Sequence, residues 1–130
     1  MKLKIKDKIP DTEIFHLVDG EPQKSKLSGI IGNGKVVLFG LPGAFTSTCS
    51  KLHLPGFVAN ADKIKMLSDP YLLFTKAIGA EIDRNSKGMG IRSNRYLMVI
   101  ENSTVVNIHV EKETKECGLT SAENLLNNLL

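Results

Sequence analysis

A chain of 130 residues with 42% hydrophobic and 24% charged side chains has the profile of one globular domain, residues 1–130, with an ordinary core. Its Leu, Ile and Val content and a net charge of only +3 argue against disorder. No apolar run reaches the roughly 18 to 20 residues of a membrane span. The segment Met1–Lys8 alternates basic and apolar residues and lacks a signal-peptide pattern, so a cytoplasmic location is expected.

The basic excess is local. Lys2, Lys4, Lys6 and Lys8 form its one stripe, while Arg84, Arg92 and Arg95 are scattered and there is no tryptophan for stacking on bases. Nucleic-acid binding is therefore not expected, and the stripe reads as the solvent face of an edge strand, where lysine discourages edge pairing. Two cysteines, Cys49 and Cys117, and three dispersed histidines, His16, His53 and His109, give no metal-ligand spacing. Neither a metal nor a cofactor is expected.

In chain order, residues 9–22 read as short strands joined by a turn at Asp19-Gly20, and Asn33-Gly34 marks a second turn. Lys35–Pro42 is a continuous apolar run, the pattern of a strand buried on both faces. From Ser47 to about Lys65 the pattern is helical with a break at Pro55-Gly56. Ser68–Gly79 reads as a helix, with Ser68 or Asp69 as cap, Pro70 in the first turn and Gly79 at the end. Ser86–Asn94 is a glycine-containing loop with Arg92, followed by strands Arg95–Glu101 and Thr104–Glu111 paired through a turn at Asn102-Ser103. Thr120-Ser-Ala-Glu123 is a capping box opening a final helix with Leu125, Leu126, Leu129 and Leu130 on one side. That order is the order of an α/β domain with a mixed sheet.

The segment Gly40–Ser50 places Cys49 just after the apolar strand, in the first turn of the following helix. Unpaired backbone N–H groups and the helix dipole there favour a thiolate. Thr46, three residues earlier, can direct its hydroxyl at the thiolate or at a bound oxygen substrate, and Pro42 fixes the loop. Attack on a peroxide O–O bond needs donors for the oxygen that gains charge. Thr46, the Cys49 N–H and a guanidinium meet that need, with Arg95 as first candidate and Arg92 as second. Each residue also has an ordinary reading: Cys49 as a small buried hydrophobe, Thr46 as a helix cap, Arg95 as half of a surface ion pair.

Pro42-Gly-Ala-Phe-Thr-Ser-Thr-Cys49-Ser, followed by His53-Leu-Pro-Gly-Phe57, resembles the active-site signature of the peroxiredoxins, in particular the type II, glutathione- or thioredoxin-linked subfamily. Met66–Pro70, Phe74–Ala77, Gly90–Tyr96 and Thr120–Leu126 resemble later blocks of the same subfamily. The resemblance implies a thioredoxin-like mixed sheet flanked by helices, with Cys49 as peroxidatic cysteine and Pro42, Thr46 and Arg95 completing its pocket. It also implies reduction of hydrogen peroxide and alkyl hydroperoxides, with glutathione and glutaredoxin, or thioredoxin, restoring the thiol.

Two departures stand out. Ser47 occupies a position where the family usually has proline. Between Lys65 and Met66, moreover, the chain lacks a strand and a helix that the family carries after the cysteine helix. Either Ile64-Lys-Met-Leu67 supplies a return strand, or the Val36–Leu41 strand loses a neighbour, with lower stability and a homodimer over the exposed face as the expected results. Cys117 stands as either a resolving cysteine or an inert thiol, and His53 as a surface or supporting residue. The alternatives to turnover are a truncated, inactive member acting as a binding or oligomer-forming module, and a redox sensor.

Overall fold

The computed structural model describes residues 1–42, 65–112 and 120–129. The chain opens with a hairpin of β1 (Glu13–Val18) and β2 (Glu21–Lys26), paired antiparallel from Glu13↔Lys26 to Val18↔Glu21. Asp19 and Gly20 both hold positive φ, 51° and 80°, which is the two-residue turn that the Asp-Gly pair predicts. A five-residue helix, α1 (Leu27–Ile31), follows directly. The sequence gives little sign of it, because one of its five residues is Gly29 and no capping residue precedes it. It is capped from a distance: Asp11 accepts hydrogen bonds from the N–H and the hydroxyl of Ser28, each at 2.9 Å. Those bonds hold the Asp11 carboxyl below the ordinary aspartate value.

The central sheet is antiparallel in the order β3 (Lys35–Gly40), β6 (Tyr96–Glu101), β7 (Thr104–Val110). Alternation along β6 sends its residues to two cores. Tyr96, Met98 and Ile100 meet Ile14, Leu27, Phe74 and Ile78 on one face, while Leu97 and Val99 meet Ala122 and Leu125 on the other. Asn102 and Ser103 make the β6–β7 turn with positive φ, 51° and 62°. A register shift at Val99/Ile100 pairs Val99 with Asn107 but Ile100 with Val105, which leaves Val106 looped outward and 45% exposed.

Between β3 and β6 lie α2 (Leu73–Ala77) and a small hairpin of β4 (Glu81–Asp83) and β5 (Ile91–Ser93), joined across a 3-10 turn at Asn85–Lys87. Helix α2 is shorter than the sequence pattern predicts. Leu72 adopts a left-handed conformation, φ 58°, and stops the helix from extending back to Pro70. Asp69 still acts as its cap, accepting from the Thr75 N–H and hydroxyl, each at 2.8 Å, and from the Phe74 N–H at 3.4 Å. Gly79 ends it at φ 70°, and a Cβ there would lie 2.8 Å from the Lys2 backbone nitrogen, so the position also admits the N-terminal segment.

Three further expectations are corrected. Residues 1–9 follow the edge of β7 through Lys6 N–H to Val105 O and Ile9 N–H to Ser103 O, but only as an isolated bridge, Lys8↔Thr104, because Lys6 turns at φ 78°. The four stripe lysines are exposed, as a solvent face requires. Strand β3 is half-buried rather than buried on both faces, with β6 as its strand partner among the described residues. The final helix is α3 (Ala122–Asn124), running into a π turn, Leu125–Leu129. Its cap is Ser121, whose hydroxyl accepts from the Asn124 N–H at 3.1 Å, one residue later than the predicted box. Leu125 is buried but Leu126 is 50% exposed, so these two leucines do not share one environment.

Candidate active site

Two of the predicted site residues, Pro42 and Arg95, are described, and they stand at one end of the central sheet. β3 and β6 pair up to Gly40↔Tyr96, and immediately beyond that pair stand Leu41 and Pro42 after β3 and Arg95 and Asn94 before β6. Pro42 is buried and Arg95 is fully buried, at 0% exposure. The strand that Arg95 leads into therefore lies beside the strand that runs towards Cys49. Gly40 permits it: a Cβ there would lie 2.5 Å from Cζ and 2.8 Å from Cδ1 of the Tyr96 ring, so only glycine admits the aromatic that follows Arg95.

The backbone of Arg95 is fixed on both sides. Its N–H donates to Asn94 Oδ1 at 2.8 Å, and its carbonyl accepts from the Glu111 N–H at 3.1 Å. Burying a guanidinium demands partners, and five fixed donors suit it to hold an oxygen that gains negative charge. Arg92, the second candidate, is placed differently. It is exposed on β5, opposite Ile82, and its Nε donates to the Met89 carbonyl at 2.8 Å. Of the two candidates, Arg95 is the buried one and Arg92 the exposed one.

Two polar residues escaped the sequence reading. Glu111, 3% exposed, accepts hydrogen bonds at Oε1 from the Thr120 N–H at 2.8 Å and the Thr120 hydroxyl at 3.0 Å. Thr120, at 0% exposure, thus serves Glu111 instead of capping the helix. The available signal was an acid closing an otherwise apolar alternating strand, opposite the position of Arg95. Tyr96 is also buried at this end of the sheet. Burial, and secondarily the Asp69 carboxylate, push its phenol well above the ordinary tyrosine value, so it is neutral at any physiological pH.

Thr46, Ser47, Cys49, His53 and Cys117 lie outside the described residues, as does the predicted broken helix up to residue 64. Of the candidate return strand, Lys65, Met66 and Leu67 are described and form no strand. The next residue, Ser68, exchanges two backbone hydrogen bonds with Phe15 of β1, at 2.8 and 2.9 Å. The junction therefore leads to the first hairpin and not to the edge of β3. Among the described residues no group of three or more His, Cys, Asp or Glu could hold a metal ion.

This architecture has close counterparts. The Redoxin family model matches residues 4–65 and 55–126. Peroxiredoxin-2C of Oryza sativa is 32% identical over an alignment taking in 95% of this chain and 96% of the relative, and Peroxiredoxin-2D of Arabidopsis thaliana is 31% identical with the same coverage. Among solved structures, reduced Prx3 of Vibrio vulnificus in complex with hydrogen peroxide superposes with a TM-score of 0.86 at 30% identity, over 95% of this chain and 97% of that one. The fold is thus the thioredoxin-like fold of the peroxiredoxins, and the chain belongs to the Redoxin family as one of them.

Proposed function

We propose that this peroxiredoxin is a thiol peroxidase of the type II kind, with Cys49 as peroxidatic cysteine and Pro42, Thr46 and Arg95 as its pocket. The observation that carries the reading is the full burial of Arg95 beside Pro42 at the end of β3, the strand whose continuation leads to Cys49. The Cys49 thiolate attacks one oxygen of hydrogen peroxide or an alkyl hydroperoxide. An S–O bond forms, the O–O bond breaks, and the departing oxygen takes a proton to leave as water or alcohol. Sulfur is oxidised by two electrons to a sulfenic acid and the peroxide is reduced by two. The Arg95 guanidinium and the Thr46 hydroxyl serve the oxygen on which charge develops.

Glutathione with glutaredoxin, or thioredoxin, returns the sulfenic acid to the thiol: one thiol displaces water to give a disulfide and a second releases Cys49. Cys117 would shorten that cycle as a resolving cysteine. A missing strand and helix after the cysteine helix is supported by the spacing of the relatives, since 157 aligned positions are needed to take in 95% of a 130-residue chain. Half-burial of β3 is consistent with that loss and supports a homodimer formed over this face; a monodisperse monomer by light scattering would count against it.

The test is peroxide consumption by the purified chain with glutathione and glutaredoxin, compared with thioredoxin. Turnover is expected with one of the two systems and none in Cys49→Ser. Loss of turnover in Cys117→Ser with thioredoxin assigns the resolving role, and unchanged turnover makes the mechanism one-cysteine. Absence of Cys49-dependent turnover with every donor would leave a binding module or a sensor.

A further inference from the structure

A cavity of about 570 Å³ between the first hairpin, α1 and the segment from Lys65 to Leu67 has no part in the chemistry above. The antiparallel bridge Phe15↔Ser68 pins that segment beside β1, so Leu67, Met66 and Lys65 run back along His16 and Leu17. Helix α1 contributes Ile30 and Gly29 to the wall. Glycine weakens a helix relative to other residues, and neither a left-handed backbone nor a close neighbour requires it here: a Cβ at Gly29 would meet nothing within 4 Å. The absent side chain leaves space at the cavity. Cavities of about 300 to 1,000 Å³ take small organic molecules.

The charged lining is basic. Lys26 and Lys65 are exposed at its edge, and half-buried His16 is joined to Ser25 by a hydrogen bond, Nε2 to Oγ at 2.9 Å. No acid lines the cavity, and neither lysine forms an ion pair among the described residues. The carboxylates near Lys26 are engaged elsewhere. Asp11, which feels the Lys26 charge, accepts two hydrogen bonds from Ser28, and Glu13, opposite Lys26 in the β1–β2 register, lies 3.7 Å from Lys24. Beside the lysines stand two large apolar side chains left in water, Leu17 at 70% and Met66 at 56% exposure. Unpaired cations next to uncovered apolar surface match a ligand with a negative head and an aliphatic body. We propose that this cavity binds a small organic anion, a carboxylate on an aliphatic chain, with Lys26 and Lys65 holding the carboxylate and Leu17, Met66 and Leu67 covering the chain. It shares no residue with the peroxidatic pocket assigned above.

The experiment is titration of the full chain with octanoate, followed through the imidazole proton resonances of His16, which His16→Gln assigns by their loss. A saturable shift is expected. Octanol, the tail without the charge, and acetate, the head without the tail, are each expected to need about tenfold higher concentration or more. Lys26→Ala combined with Lys65→Ala should weaken octanoate by about tenfold. Gly29→Leu fills the open space and should remove the saturable shift while melting no lower than the parent, because leucine is the better helix former. No octanoate shift, octanol or acetate binding as tightly as octanoate, a double lysine variant with the parent's affinity, or Gly29→Leu binding as the parent does would each overturn the proposal. Should one variant lose cooperative unfolding, the other carries the test. Cys49→Ser is expected to bind octanoate as the parent does, so this site and the peroxidase reading stand or fall separately.

Discussion

Strands β3 and β6 lie side by side in one sheet and carry similar apolar runs, Lys35-Val-Val-Leu-Phe-Gly40 and Tyr96-Leu-Met-Val-Ile-Glu101, yet they meet different environments. Every residue from Tyr96 to Ile100 is at most 4% exposed, whereas Val36, Val37, Leu38 and Phe39 are all half-buried. β6 has a strand on each side and a core on each face. An apolar run therefore announces a strand but not its place in the sheet, and place decides how much each side chain contributes.

The sharpest way to break that comparison is one substitution made twice. Leu97→Ala, at a fully buried position, is expected to cost roughly 3 to 4 kcal/mol in urea unfolding, and Leu38→Ala on β3 about half as much. Equal losses would mean that β3 is as well packed as β6. Next in size is Gly40→Ala, where the added Cβ meets the Tyr96 ring; a loss of about 2 kcal/mol is expected. Because the strain falls at the Arg95 end of the sheet, peroxide turnover should drop more than the melting temperature alone suggests. Asp69→Ala, which removes the acceptor for three hydrogen bonds to Phe74 and Thr75, should cost about 1 kcal/mol.

The smallest effect is one of pH. Tyr96 is held neutral in the folded chain, while in the unfolded chain its phenol ionises near the ordinary value of about 10. The folded pKa is the higher one, so the contribution is full below the unfolded value of about 10 and is lost as pH rises from there towards the folded value. Tyr96→Phe should flatten the alkaline limb of the unfolding profile; an unchanged limb would assign it to other groups.

Much of this arrangement was legible from local chemistry. Asp-Gly at 19–20 and Asn-Ser at 102–103 make the turns their side chains favour, and Gly79 closes its helix with the positive φ it was expected to supply. Resemblance brought Pro42 and Arg95 together, and the β3–β6 register does place them at one end of the sheet. What local patterns could not carry was long-range. Leu72 turns left-handed and shortens α2, the cap of α1 comes from Asp11 across the chain, and Thr120 leaves its capping box for a glutamate nine residues away. The half-burial of β3 depends on which strands stand beside it, and no residue within β3 reports that.

The central claim is that Arg95 serves the peroxide bound at Cys49, and its most direct test is the rate of Cys49 oxidation by hydrogen peroxide in Arg95→Lys against the unaltered chain. Lysine keeps the charge but not the planar fork of donors. The account predicts a fall of about 100-fold or more with the fold retained, and a variant that reacts as fast as the parent would contradict it.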